Sequence, residues 1–214
     1  MFVKDFMTAD PITVSPQASV PETLEIMRQN GLKRLPVIEK DRLVGLITEA
    51  DLMKALPSPA TSLSKHEIHY LTAKVLVKDT MSRDIITAKP DDTVEAAVMV
   101  MREHDIGCLP VMEGDHLVGI ITESNVFAAL TELLGLRRPG IRITVEVPDR
   151  IGILAEITNA IRELEIPIIS LATFMQDDHG SIIIRLATDE GDRVVQSMEA
   201  LGFSVSHVVA LPQQ

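Results

Sequence analysis

Gly45-Leu-Ile-Thr-Glu-Ala-Asp51 returns as Gly119-Ile-Ile-Thr-Glu-Ser-Asn125, and the likeness extends outward from both ends of that stretch. Residues 3–51 align with residues 77–125 at a constant offset of 74, without an insertion, and 22 of the 49 positions are identical. Met7 falls on Met81, Met27-Arg28 on Met101-Arg102, and Leu35-Pro36-Val37 on Leu109-Pro110-Val111. A duplication of this kind predicts two copies of one small unit related by a pseudo-twofold axis. Each copy is too short to bury its apolar face well alone, so the two pack together, and any clefts come in pairs.

Periodicity gives each copy the order strand, helix, strand, strand, helix. Ile12-Thr-Val14 and Ile86-Thr-Ala88 read as short strands. Ser19 and Thr93 stand where helix N-caps belong, ahead of Val20, Leu24, Met27 and of Val94, Val98, Met101 at helical spacing. Leu35–Ile38 and Leu43–Ile47 read as paired strands, as do Leu109–Met112 and Leu117–Ile121, and a closing helix starts at Thr48 or Thr122. Residues 57–76 form a linker, turn-rich at first and then a short helix over 65–73. Its His66-Glu67-Ile68-His69 lacks the spacing that puts two histidines on one helical face, so no metal site is read there.

After Arg137-Arg-Pro-Gly140 the pattern changes. Ile141–Val147 alternates as a half-buried strand, and Asp149 is placed to cap a helix carrying Ile153, Ile157, Ile161 and Leu164. Strands over 166–174 and 180–187, a helix over 193–201 and a strand over 204–210 complete a split β-α-β-β-α-β order. The domains so read are 1–56, 77–134 and 141–211.

Composition narrows the function classes. Of 214 residues 46% are hydrophobic but 3% aromatic, with ten Met and no Trp, so the cores are aliphatic. Apolar runs such as Ile182-Ile183-Ile184 are too short to cross a bilayer, and Met1–Asp5 shows no secretory signal. Cys108 is alone, which suits a reducing cytoplasm, and it reads as a small buried hydrophobe rather than a nucleophile. A net charge of −11 argues against a broad nucleic-acid footprint. No phosphate-loop glycine pattern, dinucleotide fingerprint or Cys/His metal spacing is present, so no catalytic residue is assigned.

The Gly-x-x-Thr-x-x-Asp/Asn segments have two readings. Thr-x-x-Asp at a strand-to-helix junction is close to a capping box. The same helix start also offers free N–H groups to a phosphate, and its carboxylate suits ribose hydroxyls. The repeat as a whole, with Val-Lys-Asp-x-Met, hydrophobic-Pro-Val and Gly-h-h-Thr-x-x-Asp (h, apolar), resembles the CBS domain (cystathionine-β-synthase domain), and two in tandem resemble a CBS pair or Bateman module. Asp149-Arg-Ile-Gly-Ile-Leu154 resembles the opening of an ACT domain, a small ferredoxin-like amino-acid-sensing module. The fold class implied is a CBS pair of α/β character followed by an α+β ACT domain, an order similar to the acetoin-utilisation B family.

The resemblance implies a regulatory, non-enzymatic protein that binds AMP, ADP or ATP in two clefts, with a tie to acetoin or related carbon metabolism. In the first cleft Asp51 takes the ribose and Thr48 the phosphate, with Lys33 and Arg34 as phosphate ligands (their bland reading being a solvated charged pair). Leu35 and Pro36 belong to the same cleft, the adenine lies among apolar positions such as Ile47, and Ile85, Ile86 and Thr87 close the cleft. The second cleft uses Thr122 and Asn125 with Cys108, Leu109 and Pro110, closed by Pro11, Ile12 and Thr13. It lacks the cationic pair and the carboxylate, which implies weaker or different binding. In the ACT part Asp149 and Gly152 fall in the effector loop, but the stretch Glu165–Ser170 lacks the family's Asn, so a purely dimerising or scaffolding role stands beside amino-acid binding. A homodimer and an unidentified protein target are the partners implied, with no nucleic acid and no membrane. The remaining alternative is an enzyme acting on the bound nucleotide.

Overall fold

The structure, a computed structural model, describes residues 1–56, 74–176 and 179–211, with the backbone alone at 175 and 176. The linker helix read at 65–73 and the His66/His69 pair lie outside the described residues. Two compact units form, Met1–Phe127 and Ala128–Gln214.

In the first unit each repeat holds a helix, a β-hairpin and a closing helix. The first has α2 (Val20–Asn30), β2 (Arg34–Glu39), β3 (Arg42–Thr48) and α3 (Glu49–Lys54), following α1 (Val3–Phe6) and β1 (Thr8–Ala9). The second has α5 (Val94–Glu103), β4 (Cys108–Glu113) and β5 (His116–Thr122), following α4 (Val77–Thr80), and closes on α6 (Glu123–Leu133). The N-caps sit where the sequence put them. Ser19 accepts from the Glu22 amide at 3.4 Å and Thr93 from the Ala96 amide at 3.1 Å. Removing the second cap, Thr93→Ala, is expected to cost about 1 kcal/mol in urea denaturation.

The repeats exchange their openings. The α1 amides of Val3 and Lys4 donate to Asp92 and Pro90 of the second repeat, and β1 pairs with β5 (Thr8 opposite Ile120, Ala9 opposite Gly119). In return Val77 and Lys78 donate to Ala18 and Pro16 of the first repeat, and Ser82 pairs with Leu46. The two glycines of the repeated segment make this possible: a Cβ on Gly119 would overlap the sulfur of Met7, and one on Gly45 that of Met81. The strands read at 12–14 and 86–88 are accordingly corrected to single parallel bridges, Val14 to Val37 and Ala88 to Val111. A chain crossing from one repeat to the other touches the second sheet for one residue only. It does so where β2 and β4 shift register, between Val37 and Ile38 and between Val111 and Met112.

The second unit is a four-stranded antiparallel sheet in the order β7-β8-β6-β9, built from β6 (Gly140–Pro148), β7 (Ile168–Gln176), β8 (His179–Leu186) and β9 (Ser204–Leu211). Helices α7 (Ile153–Glu163) and α8 (Gly191–Ala200) cover one face. Ile141, Ile143, Val145, Ile182, Ile184 and Leu186 bury themselves there against Ile157, Ile161, Val194 and Met198. Asp149 does not cap α7, which corrects its assignment. The chain turns through Gly152 at φ 89, and Gly152 is itself the N-cap, without a side-chain bond. The bidentate pair of Arg150 with Glu156, at 2.7 and 2.6 Å, holds that turn instead.

Candidate ligand clefts of the duplicated unit

Each repeated Thr-x-x-Asp/Asn segment builds a helix start whose polar atoms are partly committed. Asp51 Oδ2 accepts from the Thr48 amide at 3.1 Å and from Thr48 Oγ1 at 2.6 Å, while the Asp51 amide donates to Thr48 Oγ1 at 3.2 Å. This is a complete capping box, and it leaves Oδ1 as the acceptor that Asp51 can present to a ligand. At the second start Asn125 Oδ1 accepts from the Thr122 amide at 2.9 Å and from Thr122 Oγ1 at 2.7 Å. A backbone N–H only donates, so the atom facing it must be the amide oxygen, and the side chain's orientation follows from the network. The group left over is therefore Nδ2, a donor. Two starts that look alike in sequence present opposite polarity.

A cavity of about 500 Å³ opens at the second start. Pro11, Ile12, Thr122 and Asn125 line it together, as the sequence placed them, but so do Lys33, Arg34 and Pro36, which the sequence reading gave to the first cleft. The remaining lining includes Thr8, Asp10, Gly31, Ile120 and Ser124. Arg34 stands opposite Thr48 in the β2–β3 register. Its guanidinium reaches the second repeat: Nη1 donates to the Gly107 carbonyl at 2.6 Å, and Nη2 lies 3.6 Å from Glu123 Oε2. Gly107 leaves the room, since a Cβ there would sit 2.6 Å from that same Glu123 oxygen. The cations thus line one cavity with the donor Asn125.

The other assigned residues divide by burial. Leu35, Ile47 and Leu109 are fully buried, and Pro110 and Cys108 are buried too, so these side chains lie in the core, while Pro36, also buried, reaches the lining of the cavity. Burial pushes the Cys108 thiol up, against the pull of the Arg34 guanidinium. Ile85 and Ile86 are half-buried and Thr87 exposed in the chain crossing between Ser82 and Ala88, the counterpart of the Pro11-Ile12-Thr13 crossing. Thr13 is exposed and is not in the lining of the cavity. In the second unit Asp149 and Gly152 are exposed, with open space where a Gly152 Cβ would be. Among the described residues no His, Cys, Asp or Glu cluster could hold a metal, and no helix is long and apolar enough to cross a membrane.

Duplicated units that exchange their openings around paired helix starts, followed by a ferredoxin-like domain, define a tandem-repeat architecture with a separate βαββαβ domain. The CBS domain family model matches residues 3–58 and 77–132, and the TTHA0829-like ACT domain model matches residues 139–209. The chain belongs to the CBS-domain family, as a CBS pair followed by an ACT domain. It is 35% identical over 127 residues to protein MJ1225 of Methanocaldococcus jannaschii, which covers 58% of this chain and 45% of that one. The chain thus spans less than half the length of that relative. A crystal structure of a Vibrio cholerae protein named as an acetoin utilization protein (AcuB) is similar at TM-score 0.53 and 27% identity, covering 64% of this chain and 94% of that one. The structure of CBSX2 in complex with AMP matches at TM-score 0.53 and 29% identity, over 62% and 97% of the two chains. The CBS pair of protein MJ0100, in complex with 5'-methylthioadenosine and S-adenosyl-L-methionine, matches at 0.51 and 26%, over 61% and 95%.

Proposed function

We propose that this chain is a non-catalytic sensor that binds an adenosine nucleotide in the clefts of its CBS pair and transmits occupancy to a protein target. The carrying observation is the cavity of about 500 Å³ that Lys33, Arg34, Thr122 and Asn125 line together. Two cations and a free amide donor suit an acceptor-rich phosphate, and Ile12, Pro11 and Ile120 offer apolar surface to a base. Similar chains in complex with AMP and with S-adenosyl-L-methionine support the class of ligand. The first cleft, with Thr48, Asp51, Ile85 and Ile86, offers a carboxylate oxygen to ribose hydroxyls. Binding moves a two-state equilibrium only through unequal affinity for the two states, and the crossings at 11–13 and 85–87 are segments whose packing a ligand would alter. The boundaries 1–56, 77–134 and 141–211, a cytoplasmic location and a role in acetoin or related carbon metabolism belong to the same proposal.

Calorimetric titration with AMP, ADP, ATP, S-adenosylmethionine and NADH tests it. Saturable heat with AMP or ATP is expected, with no ADP or AMP released from ATP on prolonged incubation. Nucleotide turnover would favour the enzyme alternative, and silence toward every adenosine compound would sink the sensor.

A second reading, assembly through the ACT domain, draws on the edge strand β9, where Val208 and Val209 are each 46% exposed. An unpaired edge with apolar side chains invites pairing with a second copy. The expected species in light scattering at micromolar concentration is a homodimer, twice the 23.5 kDa chain mass; a clean monomer would overturn this.

A further inference from the structure

The sheet of the second unit has an outer face, turned away from α7 and α8, and one row of it holds two arginines. Ile141 and Ile143 point into the core, as do Ile184 and Leu186, so Arg142 and Arg185 fall on the other side, directly opposite each other in the β6–β8 register. Ser170 flanks Arg185 and Val209 flanks Arg142. Like charges in such a pair repel. Arg185 is also nine-tenths buried, with 9% of its surface exposed. Its Nη2 reaches the Leu136 carbonyl at 3.4 Å, and its Nε is buried with no hydrogen-bond partner. Arg142 gives Nη1 to Thr144 Oγ1 at 3.1 Å. Among the described residues neither arginine has a carboxylate within ion-pair distance. Glu146, on the same face of β6, accepts from Ser206 at 2.7 Å instead.

A guanidinium withdrawn from water and left with an unmet N–H is costly unless a counter-charge completes it. We propose that Arg142 and Arg185 form a binding site for a small oxyanion, a carboxylate or a phosphate group. The contact to Leu136 lies at the long limit of hydrogen bonding, so the Arg185 guanidinium turns readily toward an anion that offers Nε and Nη a bidentate partner. Arg142, opposite, supplies the second cation. The site is separate from the Asp149–Gly152 turn, which begins seven residues further along, roughly 23 Å at strand rise. It also stands apart from the reading of the clefts, since none of its residues lines them.

The test is thermal denaturation of the full chain with sodium phosphate or sodium malonate, at ionic strength held constant with sodium chloride. A saturable rise in melting temperature is expected with at least one of them, and which one answers identifies the phosphate or the carboxylate as the group recognised. Arg142→Gln is expected to abolish the rise. Arg185→Leu is expected to do the same while melting no lower than the wild type without anion, because a buried unpaired charge is replaced by an apolar side chain. Arg34→Gln, which removes any contribution of the cleft, is expected to leave a saturable rise. The proposal is overturned by a wild type indifferent to both anions, by an undiminished rise in Arg142→Gln, or by a rise that vanishes with Arg34→Gln. Should Arg185→Leu fail to fold, the Arg142 and Arg34 variants still decide.

Discussion

Replacing Arg34 with glutamine is expected to weaken AMP binding by at least about tenfold, on the order of 1.4 kcal/mol, with much less effect on adenosine. The guanidinium is the group best placed to meet a phosphate, because it lines the cavity and its present partners are modest. One is a single carbonyl, Gly107, and the other is Glu123 at 3.6 Å, a largely exposed side chain whose pairing water screens. A phosphate offers bidentate, charge-assisted bonds in exchange. Adenosine lacks the phosphate, so its affinity should barely register the change, and the ratio of the two separates phosphate recognition from general damage to the cleft. Asp51→Ala reports on the other cleft. Its free Oδ1 suits ribose, so that variant should weaken a second, independent binding event and leave the Arg34-dependent one in place. Calorimetry showing AMP and adenosine equally weakened by Arg34→Gln would remove the phosphate from the neighbourhood of Arg34. A single AMP binding event that vanished in both Asp51→Ala and Arg34→Gln would return the cation pair to the first cleft, the role the sequence alone suggested.

The reach of Arg34 into the second repeat shows where sequence legibility ended. The hairpins, the caps at Ser19 and Thr93, the helix starts at Thr48 and Thr122 and the βαββαβ order of the second unit follow from local periodicity and capping chemistry, which each segment carries in itself. The exchange of openings does not. Nothing local to Val3–Phe6 says that its amides will find Asp92 and Pro90, because that choice depends on the sheet against which the other copy packs. The glycines at 45 and 119 were the available signal: a small residue at the centre of a strand often marks close approach by another part of the chain. The reach of Arg34 was hidden for a related reason. Its backbone neighbour in the hairpin is Thr48, but a long side chain at a strand start is steered by what lies across the interface, and Gly107 offers space there. The polarity of Asn125 needed the hydrogen-bond network, since either end of an amide fits the sequence pattern equally well. Asp149 failed as a cap because Gly152, in a left-handed conformation, moved the helix start three residues on.

The exchange carries the largest stability effect expected. Leu35 and Leu109 occupy equivalent places in the two repeats, both fully buried on β2 and β4 opposite Ile47 and Ile121. Truncating either to alanine removes apolar contact and leaves a cavity that close packing cannot heal, so each variant should lose about 2–5 kcal/mol in urea denaturation. The informative quantity is the shape of the transition. If each repeat were self-contained, Leu35→Ala would melt the first and leave the second standing. The opening of each repeat is instead hydrogen-bonded to the other: Val3 to Asp92 and Lys4 to Pro90 in one direction, Val77 to Ala18 and Lys78 to Pro16 in the return. Met7 lies over Gly119 and Met81 over Gly45. Unfolding one repeat therefore strips the other of a packed segment and of its hydrogen bonds, and the duplicated unit should lose structure in a single step in both variants, with an unchanged m-value for that step. Amide hydrogen exchange gives the residue-level version of the test. In Leu35→Ala, protection at β4 and β5 should fall together with protection at β2 and β3. Protection that persisted in the second hairpin while the first exchanged freely would show the exchanged openings to be energetically minor.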